Sequence, residues 1–106
     1  MNKFDNPDHY KELSDRKKEA LLEFCNSFEK IKGFNLDNTS YGLKHVFEDL
    51  YRKELHGEMF GSSISNGQFK GAMVEAGFEV KDKRAQNWSF NISKRSIKKI
   101  KNSYNH

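Results

Sequence analysis

The 106-residue sequence has one cysteine, one proline and no long run of apolar residues. A single cysteine cannot form a disulfide within the chain, and the apolar runs are too short for a signal peptide or a membrane-spanning helix. These absences predict a protein of the reducing cytoplasm that does not enter a membrane. Cys25 falls on the apolar face of a predicted helix, so we expect a small buried side chain there rather than a reactive thiol.

Recognisable catalytic and metal-binding motifs are also missing. The sequence has no P-loop, no G-x-S-x-G and no Cys/His spacing of the kind that binds zinc. The four histidines are scattered, without an H-x-x-x-H pair: His9, His45, His56 and His106. We therefore expect no enzymatic activity, no metal and no cofactor.

Positive charge is unevenly distributed along the chain. Residues 1–60 contain 10 Lys and Arg against 12 Asp and Glu, whereas residues 61–106 contain 9 against 3. The first part therefore has a net charge of −2 and the second of +6, which together give the overall +4. A basic half in so small a protein is typical of a surface that binds a polyanion, and a merely solvated surface is the alternative.

Hydrophobic spacing predicts one domain, residues 1–106, with frayed ends at 1–5 and 103–106. The predicted elements are a long amphipathic helix (6–33), a short extended piece (34–36), a second helix (39–57), a third helix (66–76), a hairpin (78–92) and a last helix (94–104). Because aliphatic side chains are few and 9 residues are Phe, we expect an aromatic core.

The third predicted helix has the clearest boundaries, in the segment ISNGQFKGAMVEAGF of residues 64–78. Ser65 and Gln68 form an S-x-x-Q capping box, Ile64 and Phe69 are placed for a hydrophobic staple, and Gly77 is typical of a left-handed C-terminal cap. The outer face is small or polar: Asn66, Gln68, Lys70, Gly71 and Glu75. So bare a face predicts close approach by another surface, either a nucleic acid or, for Gly71, the second helix.

This order of elements is typical of an α+β winged helix-turn-helix, with the third helix as recognition element and the hairpin as wing. Small α+β domains without a nucleic-acid role share the order. On the winged-helix interpretation, the third helix, wing and last helix supply the contacts: Asn66, Gln68, Lys70, Lys81, Lys83, Arg84, Lys94, Arg95 and Lys98. Asp82 weakens the wing patch. Tyr41, Trp88 and Tyr104 are candidates for stacking on bases, each with a place in the core as the alternative.

Three blocks of the sequence together resemble a known family. They are TSYGLKHVFE (39–48), ISNGQFKGAMVEAGFEVK (64–81) and NWSFNIS (87–93), and they cover about half the chain. Family members read S-Y-x-L-K-H, then S-N-G-x-F-x-x-A-M-x-x-A-G-F, then N-x-x-F-N-[IV]-S. The family comprises small proteins of uncharacterised domain, encoded on plasmids, phages and chromosomal cassettes of Gram-positive bacteria, including the staphylococcal resistance cassette.

The resemblance implies a winged helix and, for the cassette members, binding of single-stranded DNA beside a replicative helicase and polymerase. Matched by position, it points to residues that are either contacts or signatures of the fold: Tyr41, Lys44, His45, Ser65, Asn66, Gly67, Gln68, Asn87 and Asn91. The wing turn and the acidic first helix depart from the family pattern. The resemblance therefore does not determine which surface faces the DNA.

We therefore expect a non-enzymatic DNA-binding protein of a mobile genetic element, one that binds single strands in support of the element's replication. Its expected partners are DNA, a replicative helicase or polymerase, and a second copy of the chain. Two alternatives remain. One is a dimeric repressor that binds duplex DNA, and the other is a protein-interaction module or inhibitor that docks through the first helix.

Overall fold

A computed structural model describes residues 2–104. Its elements are 3-10 helices at Lys3–Asp5 and Pro7–Glu12, then α1 (Asp15–Asn26), β1 (Lys30–Thr39), α2 (Ser40–Leu50), α3 (Asn66–Glu75), β2 (Ser89–Ile92) and α4 (Lys94–Tyr104). The predicted α+β class is confirmed. The radius of gyration is 12.8 Å, which matches the value of about 13 Å for a compact domain of this length.

The N-terminal third differs most from the prediction of one helix over residues 6–33. The chain breaks after the second 3-10 helix, and α1 begins beyond Ser14, whose hydroxyl accepts a hydrogen bond from the Lys17 N–H. α1 then ends at Asn26, because the following residues pair with β2 as a strand. Ile31, assigned by its spacing to the helix, is an exposed strand residue. Strand pairing here overrides the local helical period.

Residues 3–12 hold both 3-10 helices, and we call them the N-terminal strap. The predicted start signal is confirmed in part, since the Asn6 side chain accepts from the Asp8 N–H and Pro7 is the first helical residue. The prediction that residues 1–5 are frayed is wrong for Lys3–Asp5, which form a capped turn; Met1 lies outside the described residues. No residue of either 3-10 helix is fully buried, so the strap has no core of its own. Its position therefore depends on contacts with the rest of the protein.

α2 ends at Leu50, well before the predicted stop at residue 57, and turns follow it. Leu55, predicted on the same apolar stripe, is nevertheless fully buried. At α4 the predicted bounds are confirmed, and the Ser93 hydroxyl caps it by accepting from the Ser96 N–H. Residues 103 and 104, predicted to fray, belong to this helix, while residues 105 and 106 lie outside the described part of the chain.

The boundaries of α3 agree with the prediction to within one residue. Both hydrogen bonds of the Ser65–Gln68 capping box are formed. At the other end Gly77 has a φ of +89°, and its N–H donates to the Val74 carbonyl. The Phe78 N–H donates to the Met73 carbonyl, which completes a Schellman cap.

The sheet positions the loop that follows α3. β2 pairs antiparallel with β1 in the register Lys30↔Ile92, Asn35↔Phe90 and Thr39↔Ser89, with irregularities between these pairs. The predicted hairpin at 78–92 is smaller than expected, because its first arm contributes only the bridge Val80↔Phe90. The main partner of β2 is instead β1, which extends far beyond the predicted piece at 34–36.

An aromatic core lies between the helices and the sheet, as predicted. The Phe24 ring centroid is 5.5 Å from that of Phe47 and 6.3 Å from that of Phe69. Trp88 is buried against Phe90, with their centroids 6.3 Å apart. Within residues 2–104, no helix combines the length and apolar character needed to cross a membrane.

Candidate nucleic-acid interface

The outer face of α3 lies under the N-terminal strap. A Cβ built on Gly67 would be 2.2 Å from the Asn6 carbonyl oxygen, and one on Gly71 would be 2.3 Å from Tyr10 Cβ. Real Cβ atoms do not come so close to a neighbour, so both positions require glycine. The bare face is therefore explained by the chain's own N-terminal segment, and the alternative that Gly71 packs against α2 is wrong.

Lys70 and Asn66 take part in this contact instead of facing solvent. The Lys70 ammonium is fully buried, donates to the Asp5 carbonyl at 2.8 Å and lies 4.7 Å from the Trp88 ring centroid. Burial lowers the pKa of Lys70, and the Asp5 carboxylate partly opposes the shift. Asn66 Nδ2 donates to the Gln86 carbonyl at 3.0 Å. The expectation that these two residues are exposed is wrong, and neither can reach a nucleic acid while the strap is in place.

Three other predicted residues are already engaged by neighbours. The Gln68 side chain accepts from the Ser65 N–H at 2.9 Å as part of the capping box. Asn87 is exposed, but its Oδ1 accepts from Asn66 at 3.0 Å. Lys44 is nearly buried, with its ammonium 3.3 Å from the Glu48 carboxylate, so its charge is compensated locally.

His9 adds a side-chain contact between strap and helix that sequence reasoning missed. Its Nδ1 forms a hydrogen bond of 2.6 Å with Ser65 Oγ, the oxygen that caps α3. Its ring also meets Phe4 edge to face, with centroids 5.2 Å apart. The strap is therefore attached at both its 3-10 helices, to a helix that follows some 56 residues later in the sequence.

The wing loop, residues 81–87, presents the predicted cations to solvent. Lys81, Lys83 and Arg84 are all exposed. The Asp82 carboxylate accepts from the Arg84 N–H at 2.9 Å and lies 3.4 Å from its guanidinium Nε. These contacts lower the pKa of Asp82, so its negative charge persists at neutral pH. Residues 81–84 therefore carry three positive charges and one negative charge.

α4 carries a second group of exposed cations. Lys94 pairs with the Asp37 carboxylate of β1, and no described carboxylate lies within ion-pair distance of Arg95 or Lys98. α4 begins at the opposite end of β2 from the wing loop, and four strand residues span about 13 Å. A small anion can therefore meet only one of the two groups.

The three stacking candidates have different surroundings. Trp88 is core, with 3% of its surface exposed, so it cannot stack on a base. Tyr41 is exposed and meets His45 edge to face at 4.6 Å. The Tyr104 side chain lies outside what the structure describes. Phe34 of β1 was not predicted as a stacking residue. The one sequence signal for an exposed strand there is the mixture of basic and apolar residues in KIKGF at 30–34.

Comparison with known proteins adds no relative. No protein-family model matches the chain, and neither the curated proteins nor the solved structures give a match. Among the described side chains, no group of three His, Cys, Asp or Glu is placed to hold a metal ion. Burial raises the pKa of the Cys25 thiol, which leaves it protonated and unreactive.

Proposed function

We propose that the chain is a winged-helix protein of a mobile genetic element, and that it binds single-stranded DNA in support of replication without catalysing a reaction. The order of elements supports the fold. α1, β1, α2 and α3 are followed by an extended segment, a basic loop and β2, which pairs with β1. The sequence blocks that resemble the mobile-element family support the biological setting.

One contrast supports the proposed preference for single strands: the basic wing loop is exposed, whereas the outer face of α3 is covered. Reading duplex DNA through α3 would require its outer face to enter a major groove about 12 Å wide, and the strap lies on that face. The wing loop and α4 remain available, and their lysines and arginines suit phosphates rather than base edges. Contacts to the backbone, assisted by stacking, are how sequence-tolerant single-strand binders work.

Fluorescence anisotropy of labelled oligonucleotides tests the proposal, with a single strand and its duplex compared at two salt concentrations. We expect tighter binding of the single strand. Affinity should fall with salt at a log–log slope of about −0.7 for each phosphate contacted. A preference for duplex would replace the proposal with a repressor, and no binding to either at low salt would exclude DNA as the ligand.

A pair of charge-reversed variants locates the interface. Lys83→Glu with Arg84→Glu should weaken binding and reduce the salt slope. The control is Arg16→Glu with Lys53→Glu, which changes the net charge equally at exposed positions of α1 and the turns after α2. If both pairs weaken binding alike, the effect is one of total charge, and the wing loop is not the contact.

Protein binding is the second candidate function, and the loop before α3 favours it. Met59 and Phe60 are 79% and 80% exposed, and Phe60 has a φ of +63°, which is unusual for a large side chain. Together with Leu13, which lies between the strap and α1, they line a shared concavity. A second copy of the chain is the partner to test first. Sedimentation over a range of concentrations should show self-association that Phe60→Ser abolishes; a monomer at all concentrations would argue against it.

A further inference from the structure

An apolar concavity lies beside the wing loop, between β1, the end of α3 and the segment after it. Its volume is about 410 Å³, and its lining residues are Phe34, Val74, Phe78, Glu79, Val80 and Lys83. Phe34 is 36% exposed and Val74 is 47% exposed. Isolated exposed apolar residues are ordinary, but here two residues from different elements face one hollow.

Positive charge flanks this hollow. Lys83 of the wing loop contributes to its lining, and the Lys30 ammonium lies 4.7 Å from the ring centroid of Phe78 at its base. Glu79 is the one carboxylate in the lining. The site therefore joins a partly exposed aromatic ring to neighbouring cations, and its lining also includes one hydrogen-bond acceptor.

This combination suits one kind of occupant. An apolar peptide would gain nothing from the lysines, and a small anion would gain nothing from Phe34 or Val74. A nucleotide within a strand uses both, because its base is flat and apolar on its faces while its flanking phosphates are anionic. Glu79 repels a phosphate and can accept a hydrogen bond from an amino group of the base.

We propose that this hollow is a subsite for one unpaired base, which stacks on Phe34 and packs against Val74 while its flanking phosphates meet Lys83 and Lys30. The inference rests on the proposed single-strand binding and states where a base is held. Bases within a duplex are stacked on one another and paired, so they cannot enter. The subsite thus provides a physical reason why the region beside the wing loop would bind single strands in preference to duplex.

The test compares an ordinary single-stranded oligonucleotide with an abasic one of equal length, which keeps the phosphates and lacks the bases. Wild-type protein should bind the ordinary strand more tightly. Phe34→Ala should weaken binding of that strand about tenfold and leave the abasic strand unchanged. Phe34→Trp should keep the affinity, and its indole fluorescence should be quenched by the ordinary strand, since the native Trp88 is buried.

The matched control is Phe4→Ala, which removes a more exposed phenylalanine from the N-terminal strap and should not change either affinity. Thermal unfolding of each variant checks that the fold is intact. If wild type binds both strands equally and Phe34→Ala binds as wild type does, the subsite is overturned while salt-dependent binding stands. Equal weakening of both strands by Phe34→Ala also overturns it. If wild type binds neither strand at low salt, the proposed function itself has failed.

Discussion

α3 and the wing loop both carry residues of the kind that contact nucleic acid, but only the wing loop is open to solvent. On α3 the ammonium of Lys70 is used to hold the Asp5 carbonyl, and the backbone at Gly71 is in contact with Tyr10. In the wing loop Lys83 is exposed, as are Lys81 and Arg84. A polar outer face on a helix therefore does not by itself indicate a ligand surface.

The glycines are what distinguish the two regions. Gly67 and Gly71 lie four residues apart on one face of α3, and that spacing lets a neighbouring chain segment lie directly on the helix backbone. The wing loop has no such pair. Small residues repeated on an outer face thus indicate a covered surface, although they do not say whether the cover is a ligand or the protein itself.

The largest expected effect is that of Gly71→Ala, which disturbs the contact between the strap and α3. The new methyl group would be 2.3 Å from Tyr10 Cβ, so the strap must move. We expect a loss of about 1–3 kcal/mol in the free energy of unfolding, measured by urea denaturation. Gly42→Ala on α2, where nothing lies within 4 Å, should instead stabilise by about 0.5–1 kcal/mol. Equal effects of the two variants would mean that the strap does not rest on Gly71.

The dependence of stability on alkaline pH tests the burial of Lys70. Burial lowers the pKa of Lys70 from 10.5, so the folded protein holds this proton less tightly than the unfolded chain does. Stability attributable to Lys70 should therefore rise with pH between the lowered pKa and 10.5, since the cost of burying a charged ammonium is present below that window and relieved within it.

Urea denaturation between pH 7.5 and 9.5 measures this effect in wild type, Lys70→Met and, as an exposed control, Lys53→Met. The curve of wild type minus Lys70→Met should slope upward with pH, more steeply than the curve of wild type minus Lys53→Met. The range stops below 10, because burial raises the pKa of Tyr10 and Tyr51 and their titration would act in the opposite direction above it. Equal slopes of the two curves would contradict a buried charged Lys70.

The smallest expected effect is that of a substitution at Asp82, in the exposed wing loop. Asp82→Asn removes a negative charge from among three positive ones and keeps the side-chain oxygen that accepts from the Arg84 N–H. Affinity for single-stranded DNA should rise about two- to threefold at low salt and by less at high salt, because the charge is exposed and screened. Anisotropy at two salt concentrations checks this. A decrease in affinity would show that Asp82 orders the loop for binding.

The parts of the fold that could be predicted are those with local causes. The capping box at Ser65, the Schellman glycine at Gly77 and the cap at Ser93 each depend on residues within one turn, and they fixed α3 and the start of α4. The strap could not be predicted in the same way. No residue of its 3-10 helices is fully buried, and their position depends on residues far along the chain.

The candidate site was predictable to a similar extent. Exposure of Lys81, Lys83 and Arg84 followed from a polar turn between two apolar stretches. Burial of Lys70 did not, because nothing near it in the sequence supplies the acceptor for its ammonium. Phe34 was missed for the opposite reason, since an apolar residue in an extended piece is usually core, and only the packing of three separate elements leaves its ring in the open.

The strap also bears on the order in which the molecule is assembled. Its hydrogen bonds to α3 join residues 56 to 65 positions apart, so forming them closes long loops of the chain. α3 must exist before Asp5 and His9 have anything to bind. The strap is therefore among the last segments to reach its final place, and mutations in it should speed unfolding far more than they slow folding.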